Sequence, residues 1–247
     1  MSTKIHILIS LITSSLLSAH NTTINESLRI YDTIDLEAIS QSTNLNKLHI
    51  QRIINFLKQE QKKHLATWTH SYSILPEFIN RLNLKTGCEI GVAFGTHSEH
   101  ILQNSGVETL YSVDPYRYFP TGYDDGMNLD QSYFDILHIF SKERLSRFGK
   151  RSSMIRKTSQ EAAEEFTCNQ LDFIYIDANH SYEAVKQDLE SWYDKVRPGG
   201  LIAGDDYDHP NFPGTKQAID EFFADKGLPI NQHETIKLFF WVIKPLN

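Results

Sequence analysis

From Asn46 to Leu65 the apolar positions Ile50, Ile53, Ile54 and Leu57 recur at helical spacing, and Ile74, Leu75, Phe78, Ile79 and Leu82 repeat it. Two helices are therefore predicted ahead of the first strand, where they would cap a sheet or a second subunit. Beyond them the pattern alternates. Short apolar runs at 87–91, 109–113, 153–156, 172–177 and 200–204 predict strands, and the stretches 97–105, 130–148, 160–167, 181–195 and 214–226 predict helices between them. Such a succession folds as an α/β doubly wound sheet with right-handed crossovers and helices on both faces. The tail differs. Leu228 to Gln232, a turn at His233 and Glu234, and Thr235 to Ile243 predict an antiparallel hairpin, giving a sheet of seven strands with the last antiparallel.

Local chemistry marks the boundaries. Thr96 with Glu99 and Thr158 with Glu161 have capping-box spacing, and Gly106, Gly149 and Gly227 stand where helices should stop. Residues 20–45, rich in Asn, Ser and Thr, are expected to form a linker with one short helix. Val185, Leu189 and Trp192 lie on one helical stripe and belong to the core.

The chain has 247 residues, enough for one α/β domain and a small helical extension. The expected organisation is an apolar segment 1–19, a linker and helical cap 20–84, and a catalytic domain 85–247. Net charge is -7, from 24 basic and 31 acidic residues without a dense Lys/Arg run, which disfavours a nucleic-acid partner. The two cysteines do not suit a disulfide. If Gly91 and Asp177 both end strands, Cys88 is level with Ile174, six positions past Cys168, or roughly 20 Å of extended chain.

Chemistry concentrates at three strand ends. Cys88 to Thr96 carries Glu89, then Gly91 and Gly95 in a turn that lets a ligand lie against bare backbone. No lysine follows Gly95, so a phosphate-cradling loop is disfavoured, and Val92 and Ala93 break the dinucleotide spacing. Asp114 ends the second strand 23 residues after Gly91, where a turn residue before Pro115 is one reading. Asp177 ends another strand, and Asp205 with Asp206 ends its neighbour. Three converging carboxylates repel one another unless a cation lies between them, and all-oxygen ligation selects a hard ion such as Mg²⁺. Capping of the following loop is the alternative for Asp205 and Asp206. The aromatic segment 115–130 lacks helical periodicity and suits either a lid or a surface loop.

The glycine turn followed by Asp114 resembles the class I S-adenosylmethionine-dependent methyltransferases. The runs Asp177 to Glu183, Arg197 to Gly200, Gly204 to Tyr207 and Pro213 to Phe223 narrow the likeness to the metal-dependent O-methyltransferases that modify sugars of macrolide and aminocoumarin natural products. That resemblance implies a Rossmann-like fold and a metal held by Asp177, Asp205 and Asp206. It implies His180 as general base beside Asp177, and a cofactor site drawing on Glu89, Gly91, Gly95, Thr96, Asp114, Ser159 and Asp177. The cofactors it implies are S-adenosyl-L-methionine and Mg²⁺, with a small-molecule hydroxyl as acceptor. Ser159 and Thr158 are equally explained by helix capping, and His180 by a structural bond within its loop. A metal-independent methyltransferase and a non-catalytic cofactor-binding protein are the competing functions.

Localisation stays open between two readings. Lys4 followed by the apolar, hydroxyl-rich run Ile5 to Leu17 fits a short secretory signal or a merely apolar tail, and not a membrane span. Glycosylation acceptor sequences at Asn21 and Asn25 favour export, whereas the implied cofactor and a third acceptor sequence inside the site, at Asn179, favour the cytosol. Paired N-terminal helices are compatible with a homodimer.

Overall fold

The computed structural model describes residues 24–66, 71–123, 128–232 and 238–246. The chain divides into two compact units, Met1–Trp68 and Thr69–Asn247. The apolar segment 1–19 and the turn at His233 and Glu234 lie outside the described residues.

The first unit is helical. Helix α1, described over residues 24–28, runs into a 3₁₀ turn at Arg29–Asp32, followed by α2 (Leu36–Thr43) and α3 (Lys47–Ala66). Asp35 caps α2, its Oδ1 accepting from the amides of Glu37 at 2.8 Å and Ala38 at 3.3 Å. Asn44, left-handed at φ 59°, stops the helix. The linker expected over 20–45 is thus mostly helical where it is described. Its apolar residues are too few for a periodicity window, yet Ile24, Leu28, Tyr31 and Ile39 are all buried. In α3 the predicted stripe Ile50, Ile53, Ile54 and Leu57 is buried as expected.

The second unit opens with α4 (Ser71–Arg81) and continues as β1 (Thr86–Ile90), α5 (Thr96–Asn104), β2 (Thr109–Val113), α6 (Gln131–Ser146) and β3 (Ser152–Ile155). It goes on through α7 (Ser159–Ala163), β4 (Leu171–Ile176), α8 (Tyr182–Trp192), β5 (Val196–Gly204) and α9 (Pro213–Asp225) to β6 (Asn231–Gln232) and β7 (Phe240–Ile243). The seven strands stand in the order β3-β2-β1-β4-β5-β7-β6. β1 to β5 are parallel, and β7 runs antiparallel to both β5 and β6. Strand order reverses between β1 and β4, so ligands are expected at the carboxyl ends of these two strands.

Cys88 pairs with Ile174 in the β1–β4 register, as the strand ends imply. Both cysteines are free, Cys88 buried and Cys168 exposed. Val185, Leu189 and Trp192 of α8 join Ile174, Ile202 and Phe223 in one buried core. Each such aliphatic side chain contributes about 1.5–3 kcal/mol on burial.

Two local expectations need correction. Thr158 and Glu161 do form a capping box, but Thr96 and Glu99 do not. Gly95, left-handed at φ 71°, takes the N-cap position of α5 with no side-chain bond. Thr96 is buried, and Glu99 is taken by Arg144 Nη1 at 2.8 Å and Arg147 Nη2 at 2.5 Å. In the hairpin, the first strand keeps only Asn231–Gln232, because Leu228 and Ile230 are drawn onto the core as part of the α9–β6 connection. Among the described residues, no helix is long and apolar enough to cross a membrane.

Candidate active site

The end of β1 turns sharply. Gly91 has φ +90°, a conformation costly for any side-chain-bearing residue, and its amide donates to Val113 O at 2.9 Å. A tight bond from Gly95 N to Val92 O, 2.8 Å, closes the turn. Asp114, at the end of β2, supports it from outside. Its Oδ2 accepts from the amides of Val92 at 3.0 Å and Ala93 at 2.9 Å, and its Oδ1 accepts from Tyr116 N at 2.8 Å. Asp114 is therefore both the predicted turn residue and the brace of the glycine loop. Burial pushes its pKa up, while the three backbone donors and Arg156 pull it down. Three of the four lone-pair positions of its carboxylate are thus taken by backbone donors.

Glu89 lies below the turn. It is buried, with Oε1 2.7 Å from His97 Nδ1 and Oε2 accepting from the Ser98 hydroxyl, which also lies 2.8 Å from Ser112 Oγ. The His97 ring packs 4.5 Å from that of Tyr175. This buried polar cluster anchors the first turn of α5 to β1 and β2. Thr96, the next predicted site residue, is buried beside it in the chain.

Ser159 faces the interior. Its Oγ accepts from Trp192 Nε1 at 2.9 Å and hydrogen-bonds Asp188, whose Oδ1 accepts from Gln160 Nε2 at 3.1 Å. Asp188 is buried, and burial outweighs these two hydrogen bonds to push its pKa up to about 7.

Asp177, His180 and Asp206 converge at the carboxyl ends of β4 and β5. One ligand atom from each lies within 4.8 Å of the others. His180 Nε2 is 3.0 Å from Asp206 Oδ2 and 3.6 Å from Asp177 Oδ1. Burial opposes a charged ring here, but hydrogen bonds to the two carboxylates and their charges prevail and raise the His180 pKa to about 10. The Phe212 ring stacks on His180 at 4.3 Å, and Thr215 Oγ1 donates to His180 O at 3.1 Å. Asp206 is held at φ +57°, a strained conformation of the kind that gathers at functional sites. Asp205 is buried next to it, outside the group of three. Of the three carboxylates expected to share a cation, Asp177 and Asp206 come together with His180 between them, and Asp205 does not join them.

The segment after β2 reaches the loop between Asp177 and His180. Asn179 Nδ2 donates to Gly122 O at 2.7 Å while its Oδ1 accepts from Ser181 N at 3.1 Å. Phe119 and Tyr123 stack with centroids 5.7 Å apart, forming an aromatic wall on that segment. Sequence reasoning overlooked Phe212 and Asp188, since single residues on a loop or helix carry no pattern until the fold assembles them.

Residues 88–207 match the family model described as a methyltransferase domain. An uncharacterized protein of Acanthamoeba polyphaga mimivirus, R132, is 26% identical over 141 residues, 57% of this chain and 60% of that protein. The chain thus spans about three fifths of that curated relative, and a match to uncharacterized protein y4gI of Sinorhizobium fredii, 33% identical over 51 residues, covers 6% of it. Among solved structures, cofactor-bound Rv0187 from MTB superposes with a TM-score of 0.59 at 14% identity, covering 86% of this chain and 97% of that one. The calicheamicin methyltransferase CalS11 gives 0.54 at 17% identity, covering 90% and 91%. At these identities the solved structures share a fold with this chain, and residues 88–207 carry the match to a methyltransferase domain.

Proposed function

We propose that this enzyme methylates a hydroxyl group of a small molecule, with a divalent cation such as Mg²⁺ at the acidic strand ends. The observation that carries the reading is the meeting of Asp177, His180 and Asp206 beside the strand-order reversal. S-Adenosylmethionine supplies the methyl group on a sulfonium, ready for in-line attack by an oxygen nucleophile.

The protein's task is to position that oxygen and remove its proton. The backbone of Gly91 to Gly95 and the remaining acceptor site of Asp114 hold the donor, with Glu89, Thr96 and Ser159 shaping the surroundings. Asp177 and Asp206 orient the His180 ring, and Phe212 stacks on it. With S-adenosylmethionine bound, the new O–C bond would form as the C–S bond breaks, and His180 Nε2 would take the hydroxyl proton. While both carboxylates face the ring it retains a proton, so His180 serves as base when Asp177 and Asp206 turn from it. Asp177 and Asp206, with Asp205 next to Asp206 in the chain, would hold a cation, whose charge would acidify a nearby hydroxyl. The donors fit a hard ion, being three carboxylates of which two already converge.

A metal-independent reading draws on one observation. The Asp177–His180–Asp206 contacts form an acid–histidine–acid arrangement in which the charged ring, rather than a cation, separates the two carboxylates. Activity with methyl-labelled donor and an array of sugar and phenol acceptors, assayed with EDTA and with Mg²⁺, separates the two. Loss in EDTA with rescue by Mg²⁺ supports the first reading, and indifference to both supports the second. His180→Ala is expected to lower turnover about 10²-fold in either case.

A further inference from the structure

Ala93, in the middle of the glycine turn, carries a side chain yet stands at φ +45°. Left-handed backbone is unfavourable for alanine, so something outside the turn must hold it. Its amide donates to Asp114 Oδ2 at 2.9 Å. Its carbonyl oxygen accepts two hydroxyls from distant parts of the chain, Ser141 Oγ of α6 at 2.6 Å and Tyr116 Oη at 3.0 Å. Ser141 and Tyr116 are both fully buried, so water does not compete for these bonds.

Tyr116 is itself fixed. It stands at φ +43°, its amide donates to Asp114 Oδ1, and its carbonyl oxygen accepts from Gln131 Nε2 and Arg156 Nη2, each at 3.0 Å. Arg156 is in turn paired with Asp135 at 2.5 Å. Burial keeps the Tyr116 phenol well above its ordinary pKa, so it remains a hydrogen-bond donor at any physiological pH.

We propose that Tyr116 and Ser141 are positioning residues for the methyl donor, holding the Ala93 peptide so that the turn is shaped before the ligand arrives. Their hydroxyls act through the backbone, not on the reacting atoms. The shape of the donor site is thereby set by α6 and by the segment after β2 as well as by the turn's own glycines. The proposal rests on the reading that residues 91–95 bind S-adenosylmethionine.

The test uses the full chain, with Tyr116→Phe, Ser141→Ala, their combination, and Ser141→Thr, which keeps the hydroxyl. S-Adenosylhomocysteine affinity by calorimetry is expected to fall about three- to tenfold for each single loss and further for the pair. Ser141→Thr should stay near wild type. In the ligand-free protein, amide hydrogen exchange should quicken over residues 91–95 and stay unchanged in β4 and β5, a pattern that general loosening would not give. Variants with wild-type affinity and wild-type exchange at 91–95, or with exchange raised throughout the sheet, overturn the proposal. If Ser141→Ala does not fold, Tyr116→Phe, which removes a single oxygen, decides by the same two readouts. Wild-type protein that fails to bind S-adenosylhomocysteine sinks the methyl-donor reading and this role with it. Wild-type binding with unaltered variants sinks the positioning role alone.

Discussion

A Cβ placed on Gly91 would lie 1.9 Å from the carbonyl oxygen of Asp177. The two strand ends that form the candidate site therefore meet backbone to backbone, and the bond from Asp177 N to Ile90 O, 2.8 Å, locks them together. Gly91→Ala must shift that contact while also straining a φ of +90°. The variant is expected to lose more than about 2 kcal/mol of stability in urea unfolding, together with S-adenosylhomocysteine binding. A variant as stable as wild type would show that the strand ends separate easily.

Asp114→Asn tests the brace of the glycine turn. The amide keeps one acceptor oxygen where the carboxylate has two, so one set of backbone donors is abandoned in a buried setting. We expect a stability loss of about 1–3 kcal/mol and at least a roughly tenfold fall in S-adenosylhomocysteine affinity, measured by calorimetry on the folded variant. Unchanged affinity would remove Asp114 from the donor site.

Asp188 predicts a pH dependence with an unusual sign. Its folded pKa of about 7 exceeds its ordinary 3.8, so the folded state holds the proton more tightly than the unfolded chain. Its favourable contribution is complete below about 3.8 and is lost as pH rises through about 7. Asp188→Asn, which keeps the shape without the charge, should raise the melting temperature near pH 8 and give no gain near pH 4. A variant that melts lower near pH 8 would mean that an ionised Asp188 is stabilising where it stands.

His180 links metal loading to protons. In metal-free protein its pKa of about 10, above the ordinary 6.5, gives stability that is full below 6.5 and lost as pH rises through about 10. His180→Gln should flatten that slope in thermal melts with chelator present. If Mg²⁺ draws Asp177 and Asp206 from the ring, titrating it into wild type near pH 8 should release about one proton, against none in the variant. Calorimetry in two buffers of different ionisation enthalpy reads this directly. Binding without proton release would mean that the cation leaves the His180 contacts intact, and no binding favours the metal-independent reading.

Much of the fold could be read from the chain because β1, β2, β4 and β5 each bring a short apolar run to a glycine or an acid at its end. The Cys88–Ile174 register follows from those ends alone. Thr96 and Glu99 misled for a physical reason. Capping spacing is local, but the Arg144 and Arg147 side chains that capture Glu99 come from α6 and its C-cap, and the left-handed Gly95 already opens the helix. Likewise, Asp177, Asp205 and Asp206 are legible as acids at adjacent strand ends, whereas the insertion of His180 between two of them depends on the loop geometry set by Phe212 and Thr215.

Strand β7 follows β6 in the chain yet lies between β5 and β6 in the sheet. During synthesis the five parallel strands emerge first, and β5 presents an unpaired edge until Phe240–Ile243 arrives to cover it. Leu201 to Gly204, the stretch that β7 will cover, includes the buried Leu201, Ile202 and Ala203, an apolar template for pairing with another nascent chain. The yield of native protein is thus tied to how promptly β7 is delivered, and variants that delay its docking should be captured by chaperones or lost to aggregates although every residue of the candidate site is unaltered.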